Sequence, residues 1–205
     1  MPQTVLPIAN GFYVSDSLPL SAQECTNWYP NIVQGIGLNQ ETLFGTEGIV
    51  ERATSGILDE INRGAHEMVG KPYFVNGTTL YRMSETFKLT TLGTVEGTAR
   101  VSMADNGTQL MILVPNGKGY IYNHVTDAFA EITDTDFVAN GLPQFVVFID
   151  GYFLITTDTK KFIVSAINNG LAYNALDFGT AESDPDDIVA PVVFKNQLFL
   201  SLIHI

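Results

Sequence analysis

The chain has 205 residues, of which 22 are acidic and 10 basic, so its formal net charge is −12 at neutral pH. A hydrophobic content of 45% suits a globular core, and 18 glycines and 9 prolines favour short strands joined by tight turns. The sequence has no apolar run of ~18 residues to cross a membrane, no basic cluster to grip nucleic acid, and only one cysteine, which excludes an intrachain disulfide framework.

The first 67 residues do not share the repeat found further along, and we expect residues 1–67 to form an extended N-terminal segment with short strands. Its opening, "MPQTVLPIANG", has neither a basic stretch nor a long apolar run, so we expect no signal peptide. The stretch "LSAQECTNWYPN" contains the only cysteine, Cys25, and the only tryptophan, Trp28. Cys25 has Glu24 as its nearest charge and lacks the papain-type pattern, which predicts a packed small hydrophobic residue rather than a nucleophile.

Asn27, Trp28, Tyr29 and Pro30 are the most informative residues of this segment. Two large aromatic side chains between an asparagine and a proline predict an extended piece of chain whose rings fill a core or an interface. We therefore expect these four to be structural or interface residues. Three roles stay open for the rings: an anchor in a core or between sheets, a contact between subunits, or a stacking platform for a sugar.

Helical periodicity is nearly absent, and the best window, Ser55–Met68, supports one short turn at most. The sequence instead repeats a layout of strand, tight turn, strand, tight turn, strand, loop and strand. The repeats are Met68–Leu92, Val101–Ile132 and Gln144–Leu176, and a fourth begins at Val189–Leu202.

Tight turns mark the repeat most clearly. Asn-Gly and Asp-Gly pairs suit two-residue hairpin turns, because both residues must adopt positive φ. The first turn of each repeat is predicted at Gly70-Lys71, Asn106-Gly107, Asp150-Gly151 and Lys195-Asn196. The second is predicted at Asn76-Gly77, Asn116-Gly117 and Asp158-Thr159.

A repeat of roughly 40–50 residues with four short strands is typical of a β-propeller. We predict an all-β, β-propeller-like array of four-stranded antiparallel blades at residues 68–98, 99–142 and 143–188, with a partial blade at 189–205. This amounts to about three blades plus a hairpin, so we expect the array to be incomplete. A β-sandwich also has short strands, but it would not repeat this layout.

Three strings in the first half of the chain resemble one protein family. "GFYVSDSLPLSAQECTNWYPN", "ETLFGTEGI" and "NRGAHEMVGKPYFVNGTTLYRM" are similar to the N-terminal part of the tail-hub proteins of short-tailed phages, also described as head-completion or packaged-DNA-stabilising proteins. The resemblance runs from Gly11 to about Leu200. It departs after "FKNQLFL", where a family member should continue with further strands.

The resemblance implies a structural virion protein of the phage tail, made in the host cytoplasm, without enzymatic activity or cofactor. It implies a homo-oligomeric ring below the portal and adaptor proteins that closes the portal channel, stabilises packaged DNA and joins the head to the tail needle and tailspikes. It transfers no catalytic or metal-binding residue. The resemblance also implies that packaged DNA lies nearby. Because the chain is acidic, we expect it not to bind this DNA tightly. Because the sequence has no long apolar run, we expect no membrane partner.

Other patterns leave alternatives open. The acidic stretch Glu182–Asp187 lacks EF-hand spacing, so it is interpreted as a solvated loop, with a weak cation site as the alternative. Asp105, Glu131 and Asp150 are carboxylates that a glycosidase could use, but nothing in the sequence selects a pair. The competing functions are a carbohydrate- or receptor-binding propeller and, behind it, a propeller glycosidase.

Overall fold

The computed structural model describes residues 27–32, 41–57, 60–180 and 188–202. The chain divides into two compact units, Met1–Glu51 and Arg52–Ile205. In the described part of the first unit, β1 (Trp28–Ile32) and β2 (Glu41–Gly45) form a two-stranded antiparallel sheet.

The described strands of the second unit form three four-stranded antiparallel sheets, called blades here, and one two-stranded sheet. The first blade contains β3 (Asn62–Met68), β4 (Lys71–Asn76), β5 (Thr79–Met83) and β6 (Leu89–Thr94). The second contains β7 (Ser102–Asp105), β8 (Gln109–Leu113), β9 (Gly119–Asn123) and β10 (Ala128–Glu131). The third contains β11 (Pro143–Ile149), β12 (Tyr152–Thr157), β13 (Lys161–Ala166) and β14 (Asn169–Thr180). The fourth sheet contains β15 (Ile188–Phe194) and β16 (Gln197–Leu202). The predicted all-β array of four-stranded blades is confirmed.

The second blade shows how the blades bury their two faces. In β8, Leu110 and Ile112 pack into a core shared with the first blade, while Met111 and Leu113 pack into a core shared with the third. Successive side chains of a strand point to opposite faces, so a strand buried on both sides needs an unbroken apolar run. The sequence "QLMIL" is such a run, and the last four of its residues are fully buried.

Each core joins residues from two neighbouring blades. The first core contains Met68, Tyr73, Val75, Leu80, Val95, Leu110, Ile112, Val114, Tyr120 and Tyr122. The second contains Ala104, Met111, Leu113, Ile121, Ile132, Phe137, Val146, Phe153, Ile155 and Ile163. A blade alone exposes one or both faces, so its stability depends on its neighbours.

Two of the predicted hairpin turns occur as two-residue turns where the sequence placed them, and Asn106-Gly107, Asn116-Gly117 and Asp158-Thr159 lie within slightly longer connections between the predicted strands. Asp150-Gly151 joins β11 to β12 and Lys195-Asn196 joins β15 to β16, all four residues with positive φ. In the first blade the turns are displaced by one residue: Val69-Gly70 replaces Gly70-Lys71, and Gly77-Thr78 replaces Asn76-Gly77. Met68 is buried in the first core, so β3 continues to that residue and Val69 takes the left-handed position.

The first blade also starts earlier than the predicted residue 68, because its first strand is Asn62–Met68. This strand lies in the window Ser55–Met68 that was the best helical candidate. A short helix that was not predicted, α1 (Thr135–Ala139), follows the second blade. Its N-cap, Asp134, accepts a hydrogen bond from the backbone of Asp136, and Phe137 fills the second core. Five residues are too few to show helical periodicity in the sequence.

The first strands of successive sheets lie side by side and run in the same direction. The backbone N–H of Val101, just before β7, donates to the carbonyl of Arg63 near the start of β3, and that of Val146 in the middle of β11 donates to the Ser102 hydroxyl at the start of β7. Because strands within a blade alternate in direction, the turns after the first and third strands of every blade share one end, here called the turn face. Among the described residues, no helix has the length and apolarity to cross a membrane.

Candidate interaction surface

The turn face is held rigid by polar contacts between blades. His66 Nε2 lies 2.7 Å from Asp105 Oδ2, between the first and second blades. The Asn106 side chain donates to the Asn168 carbonyl at 3.3 Å, between the second and third blades. Each contact joins two turn-proximal residues of different blades, so the turns keep fixed relative positions.

A second network joins the first two blades beside the turn face. Arg82 Nη1 donates to Tyr122 Oη at 3.0 Å and to Asp127 Oδ1 at 3.1 Å, and Tyr122 donates to the same carboxylate oxygen at 2.6 Å. Burial raises the pKa of the Tyr122 phenol, and the hydrogen bond from Tyr122 lowers the pKa of Asp127 below its ordinary 3.8. The phenol therefore stays a donor and the carboxylate stays charged at neutral pH.

Apolar side chains project from several turns of this face. Phe87, Val125 and Ile167 lie in the third turn of successive blades, and Val69 lies in the first turn of the first blade. These four residues, called the apolar tips, are between 42% and 68% exposed. Single exposed apolar residues are common, but their recurrence at equivalent turns of one face favours an interaction surface.

Two of the apolar tips have an unfavourable backbone conformation, with positive φ. Among the described residues, nine other than glycine have positive φ, and six of those are Asn or Asp, which tolerate it. Val69 (φ 53°) and Phe87 (φ 61°) are the apolar exceptions, and both lie at the turn face of the first blade. A β-branched or aromatic residue is strained in this region, and such strain often accompanies a functional role.

A groove of about 560 Å³ opens beside these two turns. Its walls combine apolar Pro72, Met83 and Phe87 with cationic Lys71 and Arg82. The guanidinium of Arg52 lies 5.3 Å from the centroid of the Phe87 ring, at cation–π distance. We call this the blade-one groove; its chemistry suits a ligand that is partly apolar and partly anionic.

A second groove, of about 550 Å³, lies near the starts of the first strands and includes Arg63 and Arg100. The buried guanidinium of Arg63 donates four hydrogen bonds, to the carbonyls of Ala99, Gly77, Val95 and Glu96. Burial lowers the pKa of Arg63. Since these carbonyls come from a turn of the first blade and from the connection to the second, Arg63 acts as a structural clamp.

The predicted interface residues Asn27, Trp28, Tyr29 and Pro30 lie at the start of the sheet in the first unit. The Asn27 carbonyl accepts a hydrogen bond from the backbone of Thr46 at 2.8 Å, and Pro30 pairs with Leu43 in the strand register. Trp28 and Tyr29 are exposed, and the Tyr29 ring stacks on Phe44 with centroids 5.9 Å apart. Their role as interface residues stays a prediction.

Other sequence candidates contact different partners or lie outside the described residues. Asp105 contacts His66, Glu131 contacts Lys118 at 3.0 Å, and Asp150 accepts from Asn196 at 2.8 Å, so each carboxylate has a different partner. Cys25 and the acidic stretch Glu182–Asp187 lie outside the described part of the chain. Within that part, no three His, Cys, Asp or Glu side chains gather as a metal site would require.

Comparison with protein families decides which class of protein this is. A family model described as "Bacteriophage P22 Gp10, beta-propeller" matches residues 4–201. The chain belongs to this family. It is a bacteriophage structural protein with propeller-like blades, and a virion component by family. The resemblance to phage stabilisation proteins is thus confirmed at the level of the family.

The solved structures that match the chain belong to distant proteins. The chain is similar to the Neurospora crassa Pan2 WD40 domain (8% identity, TM-score 0.45, covering 68% of this chain and 46% of that one). It is also similar to Myxococcus xanthus glutaminyl cyclase (11% identity, TM-score 0.44, covering 71% of this chain and 63% of that one). A third similar structure is a chain of the mitotic checkpoint complex (8% identity, TM-score 0.40, covering 72% of this chain and 50% of that one). The chain therefore spans less than two thirds of each of these solved chains. A comparison with curated proteins found no match.

The sequence did not reveal the apolar tips, the blade-one groove or the Arg63 clamp. The tips carry no turn signal, since valine, isoleucine and phenylalanine are typical strand residues. The groove combines β4, β5 and two turns, so it exists only after the blade has folded. The apolar tips could have been found only as apolar residues that fall in turns, and the turns can be located only once the strand register is known.

Proposed function

We propose that this protein is a component of the phage tail hub. As a homo-oligomeric ring beside the portal and adaptor proteins, it closes the portal channel, stabilises packaged DNA and joins the head to the tail needle and tailspikes. The family match over residues 4–201 is the observation that carries this proposal. The protein acts without enzymatic activity, in the virion tail, after synthesis in the host cytoplasm.

Its mechanism is mechanical. Two apolar cores and several polar contacts lock the blades together, which supports a rigid part that resists the pressure of packaged DNA. The net charge of −12 repels the phosphate backbone, so DNA leaving the head would pass without adhering to this protein.

DNA retention in particles made without this protein tests the proposal. We expect filled heads to lose their DNA, measured as nuclease-sensitive DNA, and added purified protein to prevent the loss. A variant with a disrupted core, Ile112→Asp, serves as the inactive control. Full retention in the absence of the protein would contradict the proposal.

The exposed aromatic side chains of the first unit favour a second candidate, a carbohydrate- or receptor-binding propeller. Trp28, Tyr29 and Phe44 are exposed on one small sheet, and aromatic rings stack on sugar faces. A glycan array with the wild-type protein and a Trp28→Ala variant separates the two. Specific binding that the variant loses would support this candidate, and an empty array would exclude it for the glycans tested.

A further inference from the structure

Basic side chains are concentrated at one place on this acidic chain. Lys71 and Arg82 line the blade-one groove, Arg52 lies over the Phe87 ring at its rim, and Lys88 follows in the same turn. These are four of the ten basic residues in the sequence. The groove is therefore locally positive on a chain whose net charge is −12.

Most of this positive charge is not neutralised by a direct ion pair. Arg82 pairs with Asp127, but Arg52, Lys71 and Lys88 form no ion pair with any described carboxylate. Glu85 lines the groove, and exposed Glu67 lies opposite Pro72 in the strand register. The three exposed cations exceed these two acids, so the groove attracts an anionic segment.

The Phe87 turn presents an apolar contact despite its strain. The Phe87 N–H donates to the Ser84 carbonyl at 2.9 Å, and the Ser84 N–H donates to the Lys88 carbonyl at 2.9 Å. These bonds hold Phe87 at a positive φ that glycine or asparagine would adopt at lower cost. A partly exposed ring kept in this position favours a binding contact over a structural one.

We propose that the blade-one groove binds the acidic stretch Glu182–Asp187 of a second copy of this chain. This rests on the proposed function, because it supplies the contact between subunits of the ring. The stretch has four acids in six residues, and apolar Val189, which is 39% exposed, lies two residues after it. The groove offers the complementary combination of cations and apolar walls.

The two surfaces belong to different parts of the chain, so the contact is head-to-tail. Such heterologous contacts generate closed rings when the rotation between copies closes. DNA is a poorer occupant, because its phosphates would meet three exposed cations at one site on an otherwise acidic surface, not the extended basic stripe that duplex binding uses.

Charge exchange between two variants tests the contact on the full chain. One variant reverses the groove (Lys71→Glu with Lys88→Glu), and the other reverses the stretch (Asp186→Lys with Asp187→Lys). In sedimentation velocity at low salt, we expect the wild type to self-associate and each variant alone to associate at least about tenfold more weakly. A mixture of the two should recover association. The control, Arg100→Glu with Lys195→Glu, changes two exposed cations outside the groove and should behave as wild type.

A Phe87→Gly variant separates binding from folding. It should keep or raise the stability of the chain, because it removes the strain, and still weaken association at least about tenfold. Unchanged association in this variant would contradict the role of the ring.

Other outcomes overturn the proposal outright. The wild type could be monomeric, the charge-reversal variants could associate as well as the wild type, or the mixture of the two variants could fail to recover association. Binding of a short DNA duplex that the groove variant loses would assign the groove to nucleic acid instead. A monomeric chain that still prevents DNA loss from particles would overturn the groove contact and leave the hub function standing.

Discussion

Replacing Arg63 by methionine tests how much the hydrogen bonds of its guanidinium stabilise the first blade. The guanidinium is 3% exposed and donates to four carbonyls at 2.7, 2.8, 2.8 and 3.1 Å. Methionine has a similar length and can fill much of the space, but it has no donor. The substitution therefore leaves the four buried carbonyls without these partners.

The magnitude follows from two opposing effects. A hydrogen bond to a charged group contributes about 1.5–3 kcal/mol, which makes the sum of four an upper bound. Burying a guanidinium without a carboxylate costs desolvation free energy, which also lowers the pKa of Arg63. We expect a net loss of about 3–5 kcal/mol in the free energy of unfolding. For a chain of this size, the midpoint should fall by about 6–20 °C.

Urea unfolding followed by far-ultraviolet circular dichroism measures this loss. Arg100→Met is the matched control, because Arg100 lines the same groove but is exposed, and it should change stability by less than about 0.5 kcal/mol. A loss below about 1 kcal/mol for Arg63→Met would refute the clamp.

Three further predictions concern the cores and turns. Ile112→Ala should cost about 2–5 kcal/mol by opening a cavity in the first core, and urea unfolding that shows no loss would contradict the blade packing. Val69→Gly should stabilise the chain by about 1 kcal/mol, since it relieves a left-handed valine; a lower melting temperature would count against this. Asp127 stabilises the fold above its ordinary pKa of 3.8, and this contribution is lost as the pH falls through its lowered folded pKa. Tyr122→Phe should reduce this acid dependence of stability, and an unchanged profile would show that the hydrogen bond is not its cause.

The fold could be predicted from the sequence wherever the local turn signals agree with the burial of the neighbouring strand residues. Asp150-Gly151 combines a strong turn signal with apolar strands on both sides, and the structure has a turn at that pair. At Val69 the two conflict, because burial of Met68 extends the strand and places a valine where the turn needs positive φ. The sequence-based turn was therefore displaced by one residue.

The candidate surface was less accessible, because it depends on contacts between distant residues. The four carbonyls around Arg63 belong to residues 77–99, and nothing near Arg63 in the sequence indicates a buried cation. The groove likewise joins two turns that only the strand pairing brings together. Trp28 and Tyr29 were conspicuous by composition, and the structure places both side chains, exposed, on β1 of the first unit, where their role as interface residues stays a prediction.

Electron cryomicroscopy of the intact phage would show directly where this protein lies in the virion. We expect density for three four-stranded blades and their two apolar cores in the tail, around the channel below the portal. Blades located in the capsid shell or at the distal end of a tailspike, or particles without this protein, would contradict it.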